Sequence, residues 1–232
     1  MSVQGKDVLD RELFVKSVRQ VVSAVTNLPG ADCTLYAVVG AGLLSELGFD
    51  AEPAAGSAAW RVGEGDSDVI SHAPEITGPV YGPGGSEGKM VGMFHAWINI
   101  KSSVGNEILD LTTWQLKKKG RELDLADGGI TNVTYCPEFL WISEKSDKLL
   151  SPRDVLQSYD SGVYSYVRKP KVEAVVFSEG ILEEARRLTL AASICYRSGL
   201  HGENVAVVGV NENGLGEAND DSPMRLRQMK RI

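Results

Sequence analysis

Two helical segments, then a run of short strands, then a late helix predict an α+β domain built on an antiparallel sheet. Two observations carry this expectation. Strong helical spacing of apolar residues is concentrated in residues 9–48 and 178–198. The strand-like runs between them do not alternate with helices, as a parallel sheet would require. Composition agrees: 43% of the 232 residues are hydrophobic and 24% charged, which is globular usage. A chain of this length buries roughly 70% of its unfolded surface, enough to fold without disulfides or a structural metal. The three cysteines, an odd number, argue against a disulfide framework and suit a reducing cytoplasm. A net charge of −7 counts against nucleic acid as a partner. No apolar run approaches the roughly 18 residues of a membrane span, and the opening MSVQGKDVLDREL lacks the apolar core of a secretory signal. A cytoplasmic protein with no membrane partner is expected.

The elements follow in chain order. Residues 9–26 carry Leu9, Leu13, Val18, Val21, Val22 and Val25 at three- and four-residue spacing, and Asn27-Leu28-Pro29-Gly30 stops this helix. A second helix starts at Asp32 or Cys33, with Asp32 as its cap, and ends before Gly48. Ala58–Val62 and Ser67–Ser71 read as short strands. Residues 73–92 are rich in Gly and Pro and read as a long loop. MFHAWINI and EILDLTT read as a hairpin joined by KSSVGN. Residues 115–126 read as a helix on which Lys117, Lys118 and Lys119 form a solvated face. Phe139–Ile142, Val163–Val167 and Val172–Phe177 are strand candidates, residues 178–198 a helix capped at Ser178, and residues 203–210 a last strand. The domain is therefore expected over residues 1–210. Residues 211–232, with Arg225, Arg227, Lys230 and Arg231 near their end, form a flexible, solvated tail.

Three residues carry the candidate chemistry: Cys33, His95 and Asp110. If the hairpin is centred between Ser102 and Ser103, His95 lies opposite Asp110, and Trp97 opposite Ile108 on the same face. Opposed Cβ atoms stand about 4.5–5.5 Å apart, so a carboxylate there can hold the imidazole's tautomer and stabilise its charged form. Cys33 is expected at the start of a helix, where the dipole favours the nucleophilic thiolate.

These residues resemble the transglutaminase-like core of the papain-like cysteine hydrolase superfamily. The resemblance lies in Cys33-Thr-Leu-Tyr36-Ala37, Leu47-Gly48-Phe49-Asp50-Ala51, His95-Ala96-Trp97 and Leu109-Asp110-Leu111-Thr112, and spans roughly a third of the chain, residues 30–113. It implies a nucleophile helix packed on an antiparallel sheet and thiol chemistry on an amide or ester carbonyl. Cys33 would be nucleophile, His95 general base and acid, and Asp110 the orienting carboxylate. Asn27 is the candidate oxyanion donor, standing where such enzymes often carry Gln about six residues before the cysteine. Trp97, Tyr36 and Asp32 would line the site. Two departures are evident: Leu111 follows Asp110 where the family often has Pro, and the Gly-rich stretch 64–92 lengthens the Cys-to-His gap and is read as a cover over the site. Peptide, protein or small amide and ester substrates are implied, with no cofactor and no metal.

Other readings compete for the same residues. A cysteine on an apolar helix can be a small buried hydrophobe, which would leave a catalytically inactive peptide- or protein-binding module on the same fold. Gly40-Ala41-Gly42 mimics part of a dinucleotide-binding turn, but Ser45 replaces the third glycine and the helix is too short for a crossover; the two glycines are expected to let the helix pack closely on the sheet. Cys136 and Cys195 lack metal-ligand spacing. His72 and His201 read as surface histidines, with His72 able to line a cleft.

Overall fold

The computed structural model describes residues 9–26, 32–81, 87–211, 214–215 and 225–231. Asn27, the oxyanion candidate, lies outside them. Helix α1 spans Arg11–Ser23, and the Asp10 side chain caps it by accepting from the Leu13 amide at 3.0 Å. Helix α2 spans Cys33–Glu46 and buries ten of its residues around almost its whole circumference. Such a helix must be covered on all sides. Helix α1 and the long helix α6, Glu179–Leu200, pack against it, as do strands β1, Asp50–Arg61, and β5, His95–Lys101.

Strand β1 is the spine of a six-stranded antiparallel sheet. Its first half pairs with β5, and its second half pairs with β2, Val69–His72. Strand β8, Tyr164–Arg168, runs along the other edge from Gly56 to Trp60. Beyond β5 come β6, Glu107–Asp110, and β7, Leu140–Ser143. The α2-facing core contains Ala55, Ala96, Ile98, Ile100, Leu109 and Leu111. The opposite side is filled by Ala58, Trp60, Trp97, Ile108 and Tyr164.

The α+β class with an antiparallel sheet is as expected, and several elements differ. Strand β1 begins eight residues before the expected Ala58. Pro53 and the small residues around it obscure a strand, yet β8 reaches only to Gly56, so Pro53 sits where the edge opposite β5 is open. Two residues on, the Ala55 amide on that edge is taken by the Glu173 carboxylate at 3.1 Å. Residues 73–92, expected as a loop, hold β3, Glu75–Tyr81, and β4, Glu87–Gly92, paired as a separate two-stranded sheet. Its register shifts between Thr77 and Val80, around Gly78-Pro79, as a bulge allows. Val172–Phe177, expected as a strand, lies within and just beyond helix α5, Pro170–Val176. Pro170 sits at the helix start and Glu173 in the first turn, and these end signals outweigh β-branched composition in a short apolar run. Helix α3, Leu116–Asp127, follows a single 3-10 turn, Thr113–Gln115, and helix α4 spans Pro152–Gln157.

Residues 211–232 were expected to lack regular structure. Instead β9, Val205–Asn211, pairs with β10, Gly214–Leu215, and with β11, Arg225–Arg231, in a third sheet. Among the described residues no helix is long and apolar enough to cross a membrane.

Gly40 and Gly42 stand inside one continuous helix, so the turn that dinucleotide binding needs is absent. Gly40 does press α2 onto the sheet: a Cβ there would meet Ile98 Cδ1 at 2.6 Å and Leu111 Cδ1 at 2.9 Å. Gly42 instead abuts Thr189 of α6, with Oγ1 at 2.7 Å from the same virtual atom, so it serves helix–helix packing. Gly40→Ala is expected to lower stability by a net ~0–2 kcal/mol, because overpacking costs about 1–3 kcal/mol and better helix propensity returns about 1. Urea unfolding with an unchanged m-value checks this.

Candidate functional site

The site assembles where the start of α2 meets the start of β5. Cys33 is the first residue of α2, so its sulfur sits at the positive end of the helix dipole. His95 is the first residue of β5, and Asp110 the last of β6. The expected register is off by two. Ile98 pairs with Leu109, Asn99 with Ile108 and Ile100 with Glu107. Extended by a pair, this sets Trp97 rather than His95 across from Asp110. The cause is the turn: the Gly105 amide bonds the Ser102 carbonyl at 3.2 Å with Gly105 at φ 138°, which moves the hairpin's centre toward Val104. A two-residue slip preserves the faces of a strand. His95 and Asp110 therefore remain on one face as diagonal neighbours, and the imidazole spans the gap: Nε2 lies 2.8 Å from Asp110 Oδ2.

Asp110 is 0% exposed, and every acceptor position of its carboxylate is filled. Oδ1 accepts from the Thr112 amide and the Thr112 hydroxyl, both at 2.9 Å. Oδ2 accepts from His95 and from the Tyr166 hydroxyl at 2.8 Å. Tyr166 in turn accepts from Trp60 Nε1 at 2.8 Å. Burial alone would push the Asp110 carboxyl up, but the His95 charge and these donors hold it well below its ordinary range. Tyr166 stays protonated, since burial and the facing carboxylate raise its pKa far above 10.

An ionised Asp110 only accepts, so Nε2 of His95 carries the hydrogen. That leaves Nδ1 for the thiol. It is a buried ring nitrogen with no hydrogen-bond partner among the described residues. Burial opposes the imidazolium, but Asp110 first and the Cys33 sulfur after it raise the His95 pKa overall. For Cys33, burial pushes the thiol up, and the His95 ring, the Lys119 ammonium and the Ala96 amide more than reverse it, leaving its pKa below the ordinary 9.0. Aromatic rings fix the imidazole. Trp60 meets it edge-on with centroids 4.7 Å apart, and Trp97 stacks at 6.4 Å and 16°.

The other expected residues fare differently. Trp97, expected to line the site, is buried at 2% exposed with its ring stacked on the imidazole. Asp32 makes no side-chain cap to α2; its Oδ1 accepts from Gln115 Nε2 at 3.2 Å. Tyr36 is buried one turn further, and after burial its strongest electrostatic neighbours are Asp32 and Arg19. Neither bonds the imidazole. His72, expected on the surface, is half-buried at the end of β2, with its ring 5.5 Å from Trp60 and 5.9 Å from His95. Burial, then Lys119 and His95, lower its pKa to about 3, so it is neutral at physiological pH. Lys119, expected on a solvated face, is 5% exposed with Nζ 5.2 Å from the Trp60 ring. Cys136 donates toward the Thr113 and Trp114 carbonyls, and burial lifts Cys195 to about 11, away from an activated thiol. Among the described residues no group of three or more His, Cys, Asp or Glu side chains converges as a metal-ligand set.

Sequence reasoning missed Thr112, Tyr166, Trp60 and Lys119 as parts of the site, and gave His72 only as a surface histidine able to line a cleft. Thr112 had a local signal, since Asp-x-Thr lets the carboxylate bond the backbone two residues on. Lys119 had one too, since it falls three residues after Leu116 and four before Leu123, on the inward stripe of α3. Tyr166 and Trp60 had none.

No family model matches the chain, and no curated protein matches it. A crystal structure whose title describes it only as a genomics target is similar at 15% identity, over 92% of each chain, with a TM-score of 0.51. At that identity the likeness shows the fold alone.

Proposed function

We propose that the protein is a cysteine-dependent hydrolase or acyltransferase acting on an amide or ester carbonyl, with Cys33 as nucleophile, His95 as base and acid, and Asp110 as the orienting carboxylate. The observation that carries this reading is the 2.8 Å bond from His95 Nε2 to Asp110, which leaves Nδ1 bare in a ring that also lowers the Cys33 thiol pKa. The Cys33 proton passes to Nδ1, and sulfur bonds the carbonyl carbon while its π electrons move to oxygen. The amide of Cys33, unpaired within the first turn of α2, is one donor for that oxyanion. Collapse of the tetrahedral species breaks the bond to the amine or alcohol, which takes the proton from Nδ1. Water or an amine, deprotonated by His95, then attacks the thioester and regenerates the thiol. The carboxylate orients and stabilises and does not itself take the proton. Peptides, proteins and small amides or esters are the substrate class.

One observation favours a second reading, a binding module with an inert cysteine: Cys33 is only 4% exposed and His95 not exposed at all. Against it stands the expense of the arrangement. A buried ion pair is often no more stabilising than apolar residues of the same volume, so a merely structural core has little use for a fully donor-satisfied Asp–His pair beside a thiol. Perturbed titratable groups in contact mark function more often than packing.

The pH dependence of Cys33 alkylation by iodoacetamide decides between the two, in a protein carrying Cys136→Ser and Cys195→Ala. The expected result is modification that persists below about pH 6 and is lost in His95→Ala. A rate that rises only near pH 8.5, the range of a free thiol, and ignores the histidine would leave the module.

A further inference from the structure

Among the described residues Lys119 is a cation with no carboxylate paired to it. It is 5% exposed, and no described carboxylate lies within salt-bridge distance of its ammonium. Its neighbours in α3 behave otherwise: Lys117 is exposed, and Lys118 pairs in solvent with Glu122 at 3.8 Å. The backbone placement explains the difference. Leu116, Lys119 and Gly120 are the buried residues of α3, so Lys119 occupies an inward position that a leucine would fill in an ordinary amphipathic helix. Leu116, one turn before it, belongs to the apolar cluster of Trp60 and Ile70, and the Lys119 ammonium ends over the Trp60 ring, which meets the His95 ring at 87° with centroids 4.7 Å apart. Holding an ammonium at so buried a position without a carboxylate partner is costly, and cation–π attraction to Trp60 offsets only part of that cost.

The charges of the site account for it. A thiolate–imidazolium pair backed by a carboxylate sums to one negative charge in a place closed to water. Asp110 steadies the imidazolium but repels the thiolate. We propose that Lys119 is a positioning residue of the Cys33–His95–Asp110 site, a buried counter-charge that lets thiolate and carboxylate coexist beside one imidazolium. Two anions, Cys33 and Asp110, then stand with two cations, His95 and Lys119. Of the other titratable groups around the site, two add no charge. His72 from β2 and Tyr166 from β8 are both neutral. Asp32 and Tyr36, on the helix of Cys33 itself, are turned to Gln115 and toward Arg19 of α1. Lys119 also acts electrostatically across the site: its charge favours the Cys33 thiolate and the Asp110 carboxylate, and works against a proton on His72 and His95, where Asp110 more than offsets it at His95.

The inference rests on the acyl-transfer reading and is tested separately from it. Lys119→Met keeps the stem against Trp60 and removes the charge, and Lys119→Arg keeps the charge. Both are read by the pH midpoint of Cys33 alkylation in the Cys136→Ser, Cys195→Ala background, with near-ultraviolet circular dichroism reporting the fold. The expected result is a midpoint raised by one pH unit or more in Lys119→Met, a tenfold loss of thiolate on the acid side, and a return toward the parent value in Lys119→Arg. Lys119→Gln is read instead if the methionine variant does not fold. A parent midpoint well below 8.5 that the charge removal does not move would overturn this inference and leave the acyl-transfer reading standing. A shift that arginine fails to correct overturns it as well, because packing rather than charge would then be the cause. A parent midpoint near 8.5 defeats the acyl-transfer reading itself.

Discussion

Asp110→Asn should abolish the low-pH reactivity of Cys33 and cut any acyl turnover by roughly 10²–10⁴-fold, the span that positioned acid–base catalysis contributes. The direction follows from the four donors that converge on the carboxylate. An amide has one acceptor oxygen and an NH₂ group. If the NH₂ takes the Oδ1 place it opposes the Thr112 amide, a donor that cannot turn away. The better fit leaves the carbonyl oxygen to Thr112 and presents NH₂ to His95. Nε2 must then accept, the ring hydrogen moves to Nδ1, and the thiol meets a donor where it needs a base. This is the wrong-tautomer effect of triads. The imidazolium also loses the charge that overcame burial, so its pKa falls, and the thiol's pKa rises with the loss of its partner.

The same exchange alters stability in a defined pH window. The folded pKa of Asp110 is depressed below its ordinary 3.8, so its ionised form stabilises the fold above that pH and the contribution fades as pH falls through the folded value. The folded pKa of His95 is raised above 6.5, so its contribution is complete below 6.5 and fades as pH rises through the folded value. The parent should therefore be stabilised by this pair between about pH 4 and pH 6.5. Asp110→Asn should lose about 1–3 kcal/mol there through mismatched hydrogen bonds and should show a flatter acid limb. Thermal melts at pH 3, 5 and 8 check this. A variant with the parent's acid limb and undiminished thiol reactivity at pH 6 would remove Asp110 from the site.

What the sequence disclosed follows a physical boundary. Cys33, His95 and Asp110 were legible because each sits at the end of a locally encoded element, and because strand alternation survives a two-residue slip in register. The register itself was not legible. It depends on Gly105 adopting φ 138°, which SSVGN does not announce. Of the groups that tune the site, Tyr166 and Trp60 arrive from β8 and β1 through pairings between strands far apart in sequence, which no local pattern encodes, and His72 follows on β2, the hairpin partner of β1. Lys119 is a different failure. Its position on the stripe pointed inward, and its charge and two lysine neighbours suggested water. The stripe outweighed the chemistry because the site's own anions supply the lysine's company. Helix α5 fell to the ambiguity of short β-branched runs, where Pro170 was the better guide than Val175 and Val176.

Gly56→Ala should be the most damaging single methyl in the sheet, lowering stability by about 3 kcal/mol or more, at the upper end of overpacking. Gly56 is where β1 changes neighbours: it pairs with His95 of β5 on one edge and with Arg168 of β8 on the other. A Cβ there would lie 2.1 Å from the Val167 carbonyl oxygen and 2.9 Å from the Lys169 amide nitrogen. Unlike the leucine and isoleucine tips that face Gly40, these are backbone atoms and cannot rotate away. The Lys169 amide is also committed, bonding the Ala55 carbonyl at 2.9 Å. Relief must come from pushing β8 away from β1. That strand carries Tyr166, so the displacement pulls the hydroxyl off Asp110 and loosens the Trp60–Tyr166 bond. Two readouts should fall together in Gly56→Ala: the unfolding midpoint, and the thiol's reactivity at pH 6 measured well below that midpoint. Gly92→Ala is the control, since a Cβ there meets nothing within 4 Å and the added methyl costs little. Loss of stability in Gly56→Ala with reactivity unchanged would show that β8 does not hold the site. Equal effects at both glycines would show that the close approach of β1 and β8 does not set the stability of the sheet.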